Sequence, residues 1–266
     1  MQPAPLHLVD SPRVPAGNID PAQYGGADAT HLVQFYESET YLAASVSDFL
    51  AAGLRTGQPV LAIATAEHRE AFNIRLRSKG LDVERAEDIG QLMMLDANEL
   101  LSEFMSGSVP DAERFKRTLG DILARSVCGT THSVTRAYGE MVDVLWKDGN
   151  IEGAIRLEEL WNELAATHSF SLLCAYSMGN FYRETHAPGF EAICRQHSHV
   201  IPTERYTQAS GEGRLVEISI LQQRAKASDA AIQLRQELEA KLREAFSERA
   251  EPLARVKVPG ERAGAR

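Results

Sequence analysis

From His31 onward, short apolar runs alternate with segments whose apolar residues recur every three or four positions. That alternation forces strands into a parallel sheet with crossover helices on its faces. Residues 31–36 read as the first strand, and Glu37-Ser-Glu-Thr40 then supplies helix-starting side chains before an amphipathic stretch to about Arg55. Residues 59–64 form a continuous apolar run, the signature of a strand buried on both faces, and Thr65 can cap a helix over 67–79 that Gly80 ends. The turn at Gly90 introduces a third strand over 91–96, and the breaker Gly107-Ser-Val-Pro110 separates helices near 97–105 and 111–128. Two more strands, 134–141 and 170–176, flank a helix over 151–167, and 191–200 reads as a short helix running into an extended segment. The expected fold class is α/β: a mainly parallel sheet of five or more strands with helices on both faces, followed by a long C-terminal helix.

The two ends differ in character. Residues 1–30 hold several Pro and Gly residues and no apolar periodicity, so they read as a flexible, mostly unpacked lead-in to a domain over 31–206. Gly211-Glu-Gly213 reads as a break before a polar helix over 214–250. The apolar positions of that helix include Leu215, Ile218, Leu221, Ala225, Ile232, Leu234, Leu238, Leu242 and Phe246, at mixed spacings of three and four with weak heptad regularity. Such a stripe fits homodimerisation or docking through 214–250, and equally a helix folded back on its own domain. Residues 251–266, with Pro252, Pro259, Gly260 and Gly264, read as a disordered tail.

Composition narrows the partners. With 44% hydrophobic and 24% charged residues the chain is globular in character, and its net charge of -9 argues against direct nucleic-acid binding, which draws on Lys and Arg. No run approaches the roughly 20 apolar residues of a membrane span, and the first residues lack the basic flank and apolar run of a signal peptide. The expectation is a cytoplasmic protein with no membrane partner. Cys128, Cys174 and Cys194 are widely spaced and odd in number, which suits buried thiols better than a disulfide framework.

The order of elements suggests a nucleotide-binding fold, yet the chemistry for gripping phosphate is missing. A phosphate loop needs glycines that let backbone N–H groups converge, followed by Lys and Ser or Thr. The sequence contains no Gly-Lys, and the segment after the second strand reads Thr65-Ala-Glu-His-Arg-Glu70, with two carboxylates that would repel phosphate. Glu140, at the end of a central strand, occupies the kind of place where ATPases keep a magnesium-binding or water-activating acid. Without a phosphate loop it reads as a polar anchor at the carboxyl edge of the sheet, or as a salt-bridged structural Glu. Cys194, His197 and His199, with His186 upstream, do not match a recognised zinc spacing. No metal and no cofactor are therefore expected, and no Gly-x-Ser-x-Gly nucleophile is present. All eight histidines lie at or before His199, which leaves no phosphoacceptor on the distal helix. The chain is expected not to be an enzyme and to act through partner contact.

Several segments together resemble the MEDS family, the methanogen/methylotroph sensory domain. They are 31–36 with Phe49-Leu-Ala-Ala-Gly-Leu-Arg-Thr-Gly57, 59–69, Gly139-Glu-Met141 and 194–202, and the resemblance spans about 31–206. It implies a core like the RecA-type fold of circadian-clock ATPases with the phosphate loop lost, and a role in sensing small hydrocarbon derivatives within transcription regulation or kinase signalling. Members of the family usually carry a DNA-binding or kinase domain, whereas here only a helical tail follows. By position the resemblance places His31, Phe35, Tyr36, His68, Arg69, Glu140 and Met141 near strand ends where a ligand sits. Trp146 and Tyr176 join them because each offers apolar surface with one polar handle. For the aromatics core packing explains the residue equally well, and His31 and His68 read more readily as structural histidines. The resulting expectation is a non-catalytic sensory module for a small organic molecule. The alternatives are a ligand-free scaffold docking on a histidine kinase, response regulator or sigma-factor regulator, and a nucleotide-binding module without hydrolysis.

Overall fold

The structure, a computed structural model, describes residues 20–24, 30–127 and 134–250. After a short 3-10 turn at Pro21–Gln23 the elements run β1 (His31–Tyr36), α1 (Glu39–Arg55), β2 (Val60–Ala64), α2 (Ala66–Ser78), α3 (Val83–Asp88), β3 (Leu92–Asp96) and α4 (Ala97–Phe104). A two-stranded hairpin, β4 (Met105–Ser106) and β5 (Val109–Pro110), leads into α5 (Ala112–Ser126), β6 (Thr135–Gly139), α6 (Met141–Lys147), α7 (Ile151–Ala165) and β7 (Phe170–Ser177). The order finishes with α8 (Ala187–Gln196), β8 (His199–Ile201), α9 (Glu204–Thr207) and α10 (Gly211–Ala250).

Six strands make one sheet in the order β3-β2-β6-β7-β1-β8, every pair parallel. β2 and β6 are buried along their whole length, because a parallel sheet is covered on both faces, and this explains the unbroken apolar run of β2. On one face α1, α2 and α3 pack around Phe49, Leu50, Phe72 and Val83. On the other, α4 to α8 pack around Phe104, Phe115, Leu157, Trp161 and Ile193. The α/β class with a parallel sheet and helices on both faces is as expected. The chain divides into two compact units between Gln208 and Ala209. No helix among the described residues is long and apolar enough to cross a membrane.

Local chemistry explains most boundaries. Ser38, Asp82, Asp96, Asp111 and Asn150 each accept a backbone N–H in the first turn of the helix that follows. Gly80 and Gly90 take positive φ just past α2 and α3, where a side chain would be strained.

Four features depart from the sequence reading. The strand expected to run to Met141 stops at Gly139, and Met141 opens α6 with no exposed surface, so α6 begins where a strand end was expected. Gly211 and Gly213 do not break the chain but lie in the first turn of α10, where Ser210 Oγ accepts the Gly213 N–H at 3.1 Å. Helix α8 starts at Ala187 because Pro188 suits a first turn, whose N–H groups need no helical partner. Within the lead-in, residues 20–24 are packed rather than loose: Pro21 is buried and Arg136 donates to Ala22 O at 3.2 Å. The remaining lead-in over 1–19 and 25–29, Cys128 and the tail over 251–266 lie outside the described residues.

Candidate functional site

The nine candidate residues separate into three groups. The first lies at the carboxyl ends of the strands. Here β6 ends at Gly139 and the chain turns into α6, which leaves Glu140 buried at the mouth of the sheet. Its carboxylate accepts the Thr65 N–H at 2.9 Å, sits 3.3 Å from Thr65 Oγ1, and lies 2.8 Å from His68 Nδ1. The other ring nitrogen of His68 lies 2.8 Å from Glu39, whose side chain is 63% exposed, so the imidazole bridges a buried and a solvated carboxylate. Burial opposes the charged ring, but the bonds to Glu140 and Glu39 outweigh it and raise the His68 pKa above 6.5.

A second buried acid, Asp143, stands one turn further along α6. It accepts from Tyr36 Oη at 3.3 Å, from Lys147 Nζ at 2.8 Å, and from Ser177 N and Asn180 Nδ2 at 3.3 and 3.1 Å. Burial raises its pKa despite Lys147, and burial together with Asp143 pushes the Tyr36 hydroxyl far up, so Tyr36 stays a neutral donor. Arg69 turns to the neighbouring strand end and pairs with Asp96 at 2.7 Å. The Asp96 carboxyl is held below its usual range, first by the Glu99 N–H and then by Asn98 and Arg69.

The second group is aromatic. Phe35 and Tyr176 face each other from β1 and β7, with ring centres 6.2 Å apart, and Phe181 and Phe190 close on Phe35 at 5.7 and 4.7 Å. Trp146 lies 4.5 Å from Phe181 and donates its indole N–H to Asn180 O. All three candidate aromatics here, and Met141, are at most 3% exposed. They are packed core side chains.

The third group was not assembled from the sequence. His31, at the start of β1, lies among Glu158 of α7, Cys174 of β7 and His197 after α8, with their donor atoms all within 4.8 Å of one another. Glu158 Oε2 is 3.2 Å from His31 Nε2, 3.3 Å from His197 Nε2 and 3.4 Å from Cys174 Sγ, while Glu158 Oε1 accepts from Tyr176 Oη at 2.8 Å. Burial of Glu158, which alone would raise its pKa, is outweighed by the two histidines, so the carboxyl is held well below its usual range. Burial and the nearby His197 lower the His31 pKa, and burial and Glu158 push the Cys174 thiol up. Of the four residues weighed as a metal cluster from the sequence, only His197 belongs to this group. The His199 ring lies against Tyr24, the His186 ring against Trp146, and Cys194 is half-buried on α8.

Sequence reasoning missed Asp143, Glu158 and Thr65. Glu158 carried a signal: it sits four positions after the buried Ala154 and three before the buried Trp161 of α7, so an acid falls on an apolar stripe.

Fold and site together define a parallel α/β protein whose carboxyl edge is furnished with internally bonded carboxylates. The chain belongs to the MEDS family, the MEthanogen/methylotroph, DcmR Sensory domain, whose model matches residues 30–197. Among solved structures, it is similar to a KaiC-like protein from the hyperthermophilic archaeon Pyrococcus horikoshii OT3, at 15% identity and a TM-score of 0.44 over 66% of this chain and 71% of that one. No curated protein matches the sequence.

Proposed function

We propose that this chain is a non-catalytic sensory and signal-transduction module that binds a small organic molecule and passes its state on by protein contact. The observation that carries this reading is the bond from Thr65 N–H to Glu140. After β2, the Thr65 backbone donor that an anion could use is taken by the protein's own buried carboxylate, and the segment 65–70 contains no lysine. A triphosphate would have to displace Glu140 and would meet Asp143 and Glu39 behind it. Membership of a sensory-domain family points the same way.

A groove of about 330 Å³ between β3, α4 and α5 is a candidate place for a polar organic ligand: Met93, Leu95, Leu100 and Ile122 offer apolar surface, and Asp96, Glu99, Glu103, Asp121 and Arg125 line it with charge. For the output, α10 leaves Leu234, Leu238, Leu242 and Phe246 each more than half exposed, which supports pairing with a second copy of the chain. Thermal melts against a panel of small organic molecules and nucleotides test the reading, because a ligand of the native state raises the midpoint. A shift with one organic class and none with ATP is expected. ATP turnover that disappears in Glu140→Gln would overturn it, and the absence of any shift with organics would favour the ligand-free scaffold.

A further inference from the structure

We infer that His31, Glu158, Cys174 and His197 form a binding site for one divalent transition-metal ion of the zinc class. The inference does not depend on the sensory reading: its ligand atoms come from β1, β7, α7 and the segment after α8, and Glu140 is not among them.

Tautomers carry the argument. His197 Nδ1 lies 2.7 Å from Ile193 O, a backbone carbonyl that can only accept, so Nδ1 holds a proton. Asn162 Nδ2 donates to Gln196 O at 3.0 Å, which fixes that amide and turns Asn162 Oδ1 towards His31 Nδ1 at 2.9 Å, so this nitrogen is a donor too. With Nδ1 the donor in each, both rings in their neutral forms aim an Nε2 lone pair at the same carboxylate oxygen, 3.2 and 3.3 Å away. Among the described residues, His197 Nε2 is buried with no hydrogen-bond partner. Lone pairs converging on a carboxylate repel it; a proton on one ring relieves one of the two contacts only, and charging both rings would leave a buried cluster with more positive than negative charge. A cation between them removes the conflict.

The spacing agrees. Bonds of about 2.0 Å to nitrogen and oxygen and about 2.3 Å to sulfur, set tetrahedrally, place neighbouring ligand atoms about 3.3 to 3.6 Å apart. The observed separations involving Glu158 are 3.2, 3.3 and 3.4 Å, and Cys174 Sγ is 3.5 Å from His31 Nε2. Two imidazoles, one thiol and one carboxylate are a borderline-soft set that suits zinc better than magnesium or calcium. Ile193 O, Asn162 and Tyr176 hold His197, His31 and Glu158 from behind, the outer-shell arrangement of metal sites. On binding, the Cys174 thiol gives its proton to solvent and the thiolate sulfur donates an electron pair to the metal. Four such ligands close the site, so the ion pins β1, β7, α7 and the segment after α8 together.

The test is a Co2+ titration of the full chain after chelator treatment. One equivalent with tetrahedral absorption and a thiolate-to-cobalt band is expected, with the band lost in Cys174→Ser and kept in Cys194→Ser. Because Cys174→Ser alters a buried residue, Asn162→Ala gives a second reading: it touches no proposed ligand atom and should weaken Co2+ binding about 10- to 100-fold by releasing His31. Sub-stoichiometric Co2+, octahedral-type absorption, a band that survives Cys174→Ser, or an affinity unchanged in Asn162→Ala overturns the site.

Discussion

Replacing Glu140 probes the carboxyl edge most directly. The carboxylate is 2% exposed and serves the Thr65 N–H at 2.9 Å and His68 Nδ1 at 2.8 Å. Each hydrogen bond to a charged group contributes about 1.5–3 kcal/mol, and a buried donor left without a partner adds to the loss. Glu140→Ala should therefore destabilise the domain by about 3–5 kcal/mol, which for a domain of this size lowers the midpoint by roughly 6–20 °C. Glu140→Gln keeps an acceptor for Thr65 but loses the charge that holds His68, and should cost about 1–2 kcal/mol. The bond from His68 to Glu39 is discounted because Glu39 is largely solvated.

The difference between wild type and Glu140→Gln must also depend on pH. The His68 pKa is raised in the folded protein, so its contribution is fully present below the unfolded value of 6.5 and is lost as pH rises from there through the folded value. Urea melts of wild type and Glu140→Gln from about pH 5.5 to about pH 8.5 bracket this interval. The gap should be widest at the acid end and narrow with rising pH. A loss under about 1 kcal/mol in Glu140→Ala, or a gap that is flat across the series, would refute the bridging role of His68.

Other outcomes follow from packing and from the proposed output. Arg136 is 4% exposed, has no carboxylate partner among the described residues and donates to Gln58 Oε1, Ala22 O and Phe49 O. Arg136→Ala should cost about 2–4 kcal/mol in denaturant melts and make the chain near residues 20–24 more sensitive to limited proteolysis. At Gly189 an added Cβ would come within 2.8 Å of the Trp146 ring and 3.1 Å of Ile151. Gly189→Ala should therefore destabilise by about 1–3 kcal/mol and alter tryptophan fluorescence; an unchanged spectrum and melt would contradict the tight fit. If α10 pairs two chains, light scattering should give a dimer mass for wild type and a monomer for Leu234→Glu combined with Leu238→Glu.

The fold was largely legible because its signals are local. Apolar runs marked β1, β2 and β3, and the helix-starting Glu37-Ser-Glu-Thr40 and the turn glycine Gly80 marked helix ends. Errors arose where a local signal met a competing context. Met141 looks like the last residue of a strand, yet burial under the sheet is served as well by the first turn of α6. Gly211 and Gly213 look like breakers, yet a first turn tolerates glycine when Ser210 caps it. At the carboxyl edge Glu140 and His68 could be named one at a time, because each lies next to a strand end, but their pairing links residues 72 positions apart.

The four-residue group under α7 was less visible still, for a topological reason. The strand order sets β1 between β7 and β8, so His31, Cys174 and the segment carrying His197 become neighbours only once the sheet closes. No spacing rule reaches across such a crossover. Each residue also has an ordinary explanation when taken alone: Cys174 in an apolar strand reads as core, and His31 as the edge of one. Glu158 was the exception. An acid on the apolar stripe of a helix is costly to bury without a compensating partner, so its position alone demanded that something from elsewhere in the chain meet it.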